Sequence, residues 1–317
     1  MVSHKNEWCG LPVYDFPGPE DQAGTKLPDA GAVAWRVSVD TYDAEETWPE
    51  AFARFTAAVD PGAVRAIVVG AWEEAYENGP EKVIRALLDA RGRLTSLRGL
   101  FLGDMESEEC EISWITQGDV TPLLDGFPDL EEFGVRGGTG LAFSAAAHRR
   151  LRSLLVETGG MHAEAVRGVA ACDLPALRSL ELWLGTDQYG GDCAVEDVAP
   201  ILDGSRLPAL RHLALVNSDI EDAIAAAVAS APVVARLTSL DLSKGVLTDE
   251  GATALLGGQP LTHLDRLDLH HNYLTEPLRQ RLRETLESAG VVLDLDPGHA
   301  DEDEWDGRVW RYVAVGE

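Results

Sequence analysis

Apolar residues recur along this chain in a frame of six positions, in which the first, fourth and sixth are apolar and the others vary. The clearest copies are LTSLDL, which begins at Leu237, and LDRLDL, which begins at Leu264. Apolar residues two apart predict a β-strand that buries one face. The eight clear copies begin at Val64, Leu97, Leu130, Leu151, Leu177, Leu210, Leu237 and Leu264.

Two weaker copies extend the pattern at its ends, so that about ten strands are predicted. Ala34, Val37 and Val39 fit the frame before Val64, and the stretch GVVLDLD supplies a closing strand near residue 293. Between the strands the apolar spacing changes to that of a helix, as in DIEDAIAAAVAS, where Asp219 is placed to cap the helix. Strands that alternate with helices predict a parallel sheet and an α/β fold.

The frame resembles the leucine-rich repeat family, and its long repeats resemble the ribonuclease-inhibitor-like branch. The resemblance implies a right-handed solenoid, or horseshoe, with about ten parallel strands on the concave side and helices on the convex side. It covers residues 34–296. We expect residues 1–33 to form an N-terminal cap, and residues 297–317 to form an acidic tail that ends in a short strand.

One repeat position departs from this family. The ninth position, normally asparagine, is asparagine only once, at Asn272, and is glycine at residues 138, 159, 185 and 245. Glycine there indicates a backbone with positive φ or a close approach to a neighbouring chain segment.

The net charge of the chain limits the classes of molecule that it can bind. The 317 residues contain 54 Asp and Glu against 26 Lys and Arg, which gives a net charge of -28. Such a surface repels nucleic-acid phosphates and anionic lipids, so we expect neither nucleic acid nor a membrane as partner. A basic protein or peptide is the expected partner, although a solvated acidic face that binds nothing explains the same composition.

The four cysteines, Cys9, Cys110, Cys172 and Cys193, lie far apart and show no C-x-x-C spacing. This distribution argues against a zinc ribbon or a dense disulfide framework. The first residues contain no apolar stretch behind a basic start, and no apolar run is long enough to span a bilayer. We therefore expect a cytoplasmic protein with reduced thiols.

Alternation along a strand places the fifth and seventh frame positions on the face opposite the leucines, which the resemblance makes the concave face. Charged and aromatic residues at and just after these positions are the candidates for contact with a partner. They are Phe101, Arg136, Glu157, Glu181, Trp183, Asp241, Asp268, His270 and His271. Phe101 and Trp183 are suited to a binding hot spot, or else they are covered by a loop.

The fifth position also predicts a row of like charges. Asp241, Asp268 and Asp294 should lie on successive strands about 4.8 Å apart. Their repulsion requires solvent, a ligand or a nearby cation, and Arg266 and Lys244 are close enough in the frame to serve. A divalent metal with His270 as a ligand is the functional alternative. Adjacent residues on a strand point to opposite faces, which argues against His270 and His271 sharing one ion.

We find no nucleophile elbow, zinc-binding helix, dinucleotide loop or phosphate loop in the sequence, and we expect no cofactor and no resident metal. The leading hypothesis is a non-catalytic scaffold or adaptor that binds a protein through an acidic concave face and two long loops, residues 105–119 and 185–197. The alternative is a metal-dependent hydrolase or small-ligand-binding protein that uses Asp241, Asp268 and His270.

The stretches AWRVSVDTYDAEETW, FLGDMESEECEISWI and EFGVRGGTG are also similar to a bacterial leucine-rich repeat family of unassigned function. That resemblance spans nearly the whole chain. Members of the family are encoded near radical and ATP-grasp-type enzymes, which implies an accessory role in a modification pathway.

Overall fold

The computed structural model of the protein describes residues 2–22, 24–300 and 302–317. The fold is α/β, with fourteen strands and eight α-helices in these ranges. The chain divides into two compact units. The first contains the residues up to Glu157 together with Cys172–Leu174 and Glu317, and the second contains Thr158–Ala171 and Pro175–Gly316.

In the first unit, seven strands lie side by side in chain order. Strands β1 and β2 form an antiparallel hairpin, and each later strand pairs in parallel with the one before it. The strands are β1 (Glu7–Trp8), β2 (Leu11–Asp15), β3 (Ala34–Val37), β4 (Ala66–Val69), β5 (Gly99–Leu102), β6 (Glu132–Arg136) and β7 (Ser153–Glu157). The helices are α1 (Trp48–Ala58), α2 (Glu81–Ala90) and α3 (Thr121–Gly126).

In the second unit, five strands lie in chain order, and parallel pairs join β8 to β9, β9 to β10, β10 to β11 and β11 to β12. They are β8 (Ser179–Gly185), β9 (His212–Ser218), β10 (Ser239–Asp241), β11 (Arg266–Asp268) and β12 (Val292–Asp294). The helices are α4 (Ala163–Ala171), α5 (Val195–Asp203), α6 (Glu221–Val228), α7 (Asp249–Gly257) and α8 (Glu276–Leu286). A separate antiparallel hairpin contains β13 (Glu302–Trp305) and β14 (Arg308–Arg311).

The repeat frame determines the register of the parallel strands. Residues at the fourth position face one another from strand to strand and are buried in all but the last strand, where Leu293 is half-buried. In the first unit they are Trp35, Ile67, Leu100, Phe133 and Leu154. In the second they are Leu180, Leu213, Leu240, Leu267 and Leu293. The mostly parallel arrangement fits a repeat solenoid.

The sequence predicted about ten strands, and twelve occur outside the separate hairpin. The two additional strands are β1 and β2, whose residues lie before the first copy of the frame. The right-handed horseshoe, the ribonuclease-inhibitor-like branch and the division at residues 33 and 296 stay predictions.

The predicted frame of the first copy is wrong by two residues. Trp35, and not Val37, pairs with Ile67. The segment VAWRVSV has apolar residues at every second position, so a shift of two residues leaves the same face buried and the periodicity cannot select the register. Consequently Arg36, and not Ser38, occupies the fifth position of this strand.

The predicted cap of α6 is also wrong. Ile220 precedes the helix at its N-terminus, and the Asp219 carboxylate instead accepts a hydrogen bond from the backbone amide of Asp187 at 3.0 Å. The glycine interpretation is confirmed at Gly185, which has a φ of 72°.

The N-terminal segment, residues 3–11, packs on the strand face opposite the leucines of the first unit. Trp8 and Leu11 form a cluster with Ala34, Val68 and Phe101, and the rings of Trp8 and Phe101 meet edge to face with centroids 5.0 Å apart. A side chain at Gly134 would collide with both rings, which explains the glycine at this strand position. The first unit therefore has apolar packing on both faces of its strands.

We predict that Trp8→Ala lowers the free energy of unfolding by about 3 to 5 kcal/mol, because it leaves a cavity over Phe101. Urea unfolding monitored by far-UV circular dichroism measures the change. Trp114→Ala is the matched control, since Trp114 is 59% exposed, and should shift stability by less than about 0.5 kcal/mol. Equal stability of the two variants would contradict the packing of Trp8 on the strands.

Candidate functional site

The predicted contact residues of the first unit lie in its interior. Phe101, Arg136 and Glu157 are at most 4% exposed. Phe101 lies beneath Trp8, and the Lys5 ammonium lies 5.0 Å from its ring centroid. The N-terminal segment thus occupies the surface that the sequence assigned to a partner, and these three residues are not accessible to one.

Arg136 and Glu157 belong to a buried charge network. The Arg136 Nε donates to Glu157 Oε2 at 2.8 Å, and the Lys5 Nζ donates to Glu157 Oε1 at 2.7 Å. Fully buried Asp104 accepts hydrogen bonds from Arg36 Nε at 2.9 Å and from the Lys5 amide at 3.1 Å. Burial alone would raise the pKa of Glu157, but Arg136 and Lys5 outweigh this effect and lower it. The network ties the N-terminal segment to the strands.

The sequence did not single out Lys5, Arg36 or Asp104. Asp104 lies at the eighth frame position, just past the end of β5. The register error placed Arg36 at the third frame position instead of the fifth, so it was not among the candidates. A charged residue in the middle of an otherwise apolar strand, as in AWRV, was the available signal, because such a residue must find a partner when it is buried.

Trp183 in the second unit is also covered, and is 6% exposed. The Lys244 ammonium lies 4.0 Å from the centroid of the Trp183 ring. The indole Nε1 of Trp183 donates to Glu181 Oε1 at 2.7 Å. For Phe101 and Trp183 alike, the structure favours the alternative in which the chain covers the aromatic ring. Glu181 remains half-buried.

The three aspartates at the fifth position form a row, as the frame predicts. Asp241 pairs in register with Asp268, and Asp268 with Asp294. Arg266 is the cation that offsets them, since its Nη2 lies 2.7 Å from Asp268 Oδ2 and 3.4 Å from Asp294 Oδ2. Lys244, the other predicted cation, instead lies over Trp183. We call Asp241, Asp268 and Asp294 the acidic row.

His270 lies beside the acidic row. Its backbone amide and its Nδ1 lie 3.0 and 2.8 Å from Asp268 Oδ1. The hydrogen bond to Asp268 raises the pKa of His270 above its ordinary 6.5. Burial alone would raise the pKa of Asp268, but the hydrogen bonds from His270 and Arg266 outweigh it and hold the pKa well below 3.8. Asp268 is therefore ionised at neutral pH.

Asp241 differs electrostatically from its neighbour in the row. Burial raises the pKa of Asp241, and the charge of Asp268 adds to the effect. The Asp241 Oδ1 accepts a hydrogen bond from the Ser243 amide at 2.9 Å. The side chains of Asp268 and Asp294 are 11% and 38% exposed.

His271 has a different role from His270. Its φ of 52° turns the chain, and its Nε2 lies 3.0 Å from the carbonyl oxygen of Tyr312. Asn272 holds this turn, because its Nδ2 donates to the Leu269 carbonyl at 2.6 Å and its Oδ1 accepts from the Leu274 amide at 3.1 Å. The two histidines thus engage separate partners.

The C-terminal residues of the chain contact residues at and just after the ends of β9 and β10 in the second unit. The Ala314 amide donates to the Lys244 carbonyl at 2.8 Å. Asn217 binds the backbone of Val315 twice, through Oδ1 at 2.9 Å and Nδ2 at 2.6 Å. The sequence analysis missed Asn217, although an asparagine at a strand end is well suited to its φ of 56°.

The two long loops differ in exposure. In residues 105–119, Cys110, Ile112 and Ile115 are buried while Trp114 is exposed. In residues 185–197, a short 3-10 turn at Asp187–Tyr189 ends at Gly190 with a φ of 88°. The second loop presents mostly exposed and half-buried side chains.

One group of side chains in the described ranges has the spacing of a metal site. Ligand atoms of Asp268, His270 and Asp294 all lie within 4.8 Å of one another. Asp294, and not the predicted Asp241, completes the group. Arg266 already bridges both carboxylates, and His270 is bound to Asp268, so a cation would have to displace the guanidinium.

Comparisons with known proteins support the fold and show no family. No family model and no curated protein matches the sequence. A crystal structure of a protein from Bacteroides fragilis is similar, with a TM-score of 0.75, 25% identity, and coverage of 85% of this chain and 73% of that chain. An internalin from Listeria monocytogenes aligns at a TM-score of 0.35 and 15% identity, over 76% of this chain and 56% of its own, too weakly to carry an argument.

Within residues 2–22, 24–300 and 302–317, no helix is both long enough and apolar enough to cross a bilayer.

The interaction between Asp268 and His270 should make the stability of the protein depend on pH. The lowered pKa of Asp268 gives stability that is present above 3.8 and lost as the pH falls towards the folded-state value. The raised pKa of His270 gives stability that is present below 6.5 and lost as the pH rises through the folded-state value. The pair therefore contributes most between these two pH values.

We predict that Asp268→Asn lowers the pKa of His270, because the substitution removes the charge that favours the imidazolium. An NMR titration of the His270 ring protons measures the shift. Asp265→Asn is the control, since exposed Asp265 lies one residue before β11 and carries the same charge. An unchanged His270 pKa in Asp268→Asn would show that the two side chains do not interact in solution.

Proposed function

We propose that the protein is a non-catalytic scaffold or adaptor that binds a basic protein or peptide. The single observation that carries the proposal is the acidic row, in which three aspartates lie in register on β10, β11 and β12 and the Arg266 guanidinium pairs with two of them, Asp268 and Asp294. Excess negative charge on neighbouring strands attracts a cationic partner and fixes its position. His270 borders the row, and Glu181 lies on β8, separated from Asp241 by Ala214.

The proposed binding surface is smaller than the sequence suggested. It comprises the acidic row, Glu181, His270 and the loop of residues 185–197, because Phe101, Arg136, Glu157 and Trp183 are covered. The net charge of -28 supports a basic partner. The resemblance to a bacterial leucine-rich repeat family supports a cytoplasmic, accessory role in a modification pathway, which is part of the proposal.

We predict that a hexalysine peptide binds the full chain at low salt and that its affinity falls as salt is added. Asp268→Asn with Asp294→Asn should raise the Kd about threefold to tenfold, because Arg266 then lacks its partners and repels the peptide. Isothermal titration calorimetry measures the change.

Asp89→Asn with Asp125→Asn is the charge-matched control, because both aspartates are exposed and lie in the first unit, far in sequence from the row; it should leave the Kd unchanged. A hexaglutamate peptide should not bind. Failure of hexalysine to bind, or equal weakening by the control variant, would overturn the proposal.

The metal-dependent alternative rests on the spacing of Asp268, His270 and Asp294. We predict that Zn²⁺ and Mg²⁺ bind the unaltered chain weakly or not at all, because Arg266 neutralises the same oxygens. Arg266→Ala should increase Zn²⁺ affinity, as measured by calorimetry. One tightly bound Zn²⁺ per chain, lost in Asp268→Ala with His270→Ala, would replace the scaffold proposal by the metal-dependent one.

A further inference from the structure

The C-terminal hairpin, residues 302–312, has one face that is both aromatic and acidic. The register pairs Asp303 with Trp310 and Trp305 with Arg308, and directly opposed residues of an antiparallel pair share a face. Tyr312 follows Trp310 by two residues and continues that face. The hydroxyl of Tyr312 donates to Asp303 Oδ2 at 3.0 Å, which orients both side chains.

A cleft of about 500 Å³ lies on this hairpin, lined by Asp303, Glu304, Trp305, Trp310 and Tyr312. Its aromatic side chains are largely exposed to solvent: Trp305 is 77%, Trp310 49% and Tyr312 50% exposed. Large aromatic side chains that stay exposed next to polar groups mark interaction sites.

The charges of the hairpin select the kind of ligand. Arg311 is engaged on the other face, where its Nε lies 2.6 Å from Glu302 Oε1. Arg308 lies opposite Trp305 on the aromatic face but does not line the cleft. The cleft lining combines the carboxylate of Asp303 on the aromatic face, and that of Glu304 from the other face, with three aromatic rings, whose faces carry partial negative charge. This combination attracts an ammonium or guanidinium group and repels an anion.

We propose that the cleft binds a cationic side chain, lysine or arginine, of a basic protein partner. The inference rests on the proposed function and adds to it the place where a single side chain of the partner is held.

The base of the hairpin is fixed beside the proposed binding surface. The Tyr312 carbonyl oxygen lies 3.0 Å from His271 Nε2 and 2.8 Å from the Tyr273 hydroxyl, and the Tyr312 amide donates to the same hydroxyl at 2.9 Å. His271 follows His270, which borders the acidic row. One extended partner can therefore place a basic residue in the cleft and another at the row.

The test is hexalysine binding to the full chain with Trp305→Leu and Trp310→Leu, which keep apolar bulk but remove the aromatic faces. Each variant should raise the Kd roughly threefold to tenfold. Tyr42→Leu is the control, because Tyr42 is an exposed aromatic residue (63%) in the first unit and outside both long loops; its Kd should equal that of the unaltered chain. Circular dichroism verifies the fold of each variant.

The outcomes separate this inference from the proposed function. If both hairpin variants bind hexalysine normally while Asp268→Asn with Asp294→Asn binds weakly, the cleft inference is overturned and the scaffold proposal stands. If no variant changes the affinity, or hexalysine does not bind, both are overturned. A self-associated chain that Trp310→Leu converts to monomer, with unchanged hexalysine affinity, would assign the cleft to a second copy of the chain and overturn the inference.

Discussion

The alternation of side chains along parallel strands is the constraint on which the rest of this structure depends. Leucines and other apolar residues at the fourth frame position are held in register and buried, so the residues on either side of them must project to the opposite face. The buried charge network, the covered aromatics and the acidic row all lie on that second face.

The two compact units use this second face in different ways. In the first unit, Trp8 and Lys5 convert it into an interior, with apolar contacts around Phe101 and paired charges around Glu157. In the second unit, the C-terminal residues cover Asn217 and leave His270 and Asp294 partly exposed. A residue of this face, such as Phe101, therefore becomes interior where a terminal segment passes over it.

Periodicity predicted what is local and repeated. The register of Phe101, Asp268 and Asp294 follows from the frame, because each copy constrains the next. Periodicity could not distinguish Trp35 from Val37, since a shift of two residues buries the same face. Nor could it show where Trp8 docks: that contact joins residues distant in sequence, and no repeat encodes it.

Asn217 shows how the end of the chain is held. Its side-chain amide accepts from the amide and donates to the carbonyl of one residue, Val315, and so reproduces the two bonds that a neighbouring strand would make. This contact recognises the main chain and not the side chain at residue 315. The two hydrogen bonds therefore tolerate any residue that keeps its backbone amide at position 315, whereas the burial of the Val315 side chain restricts that position to apolar residues.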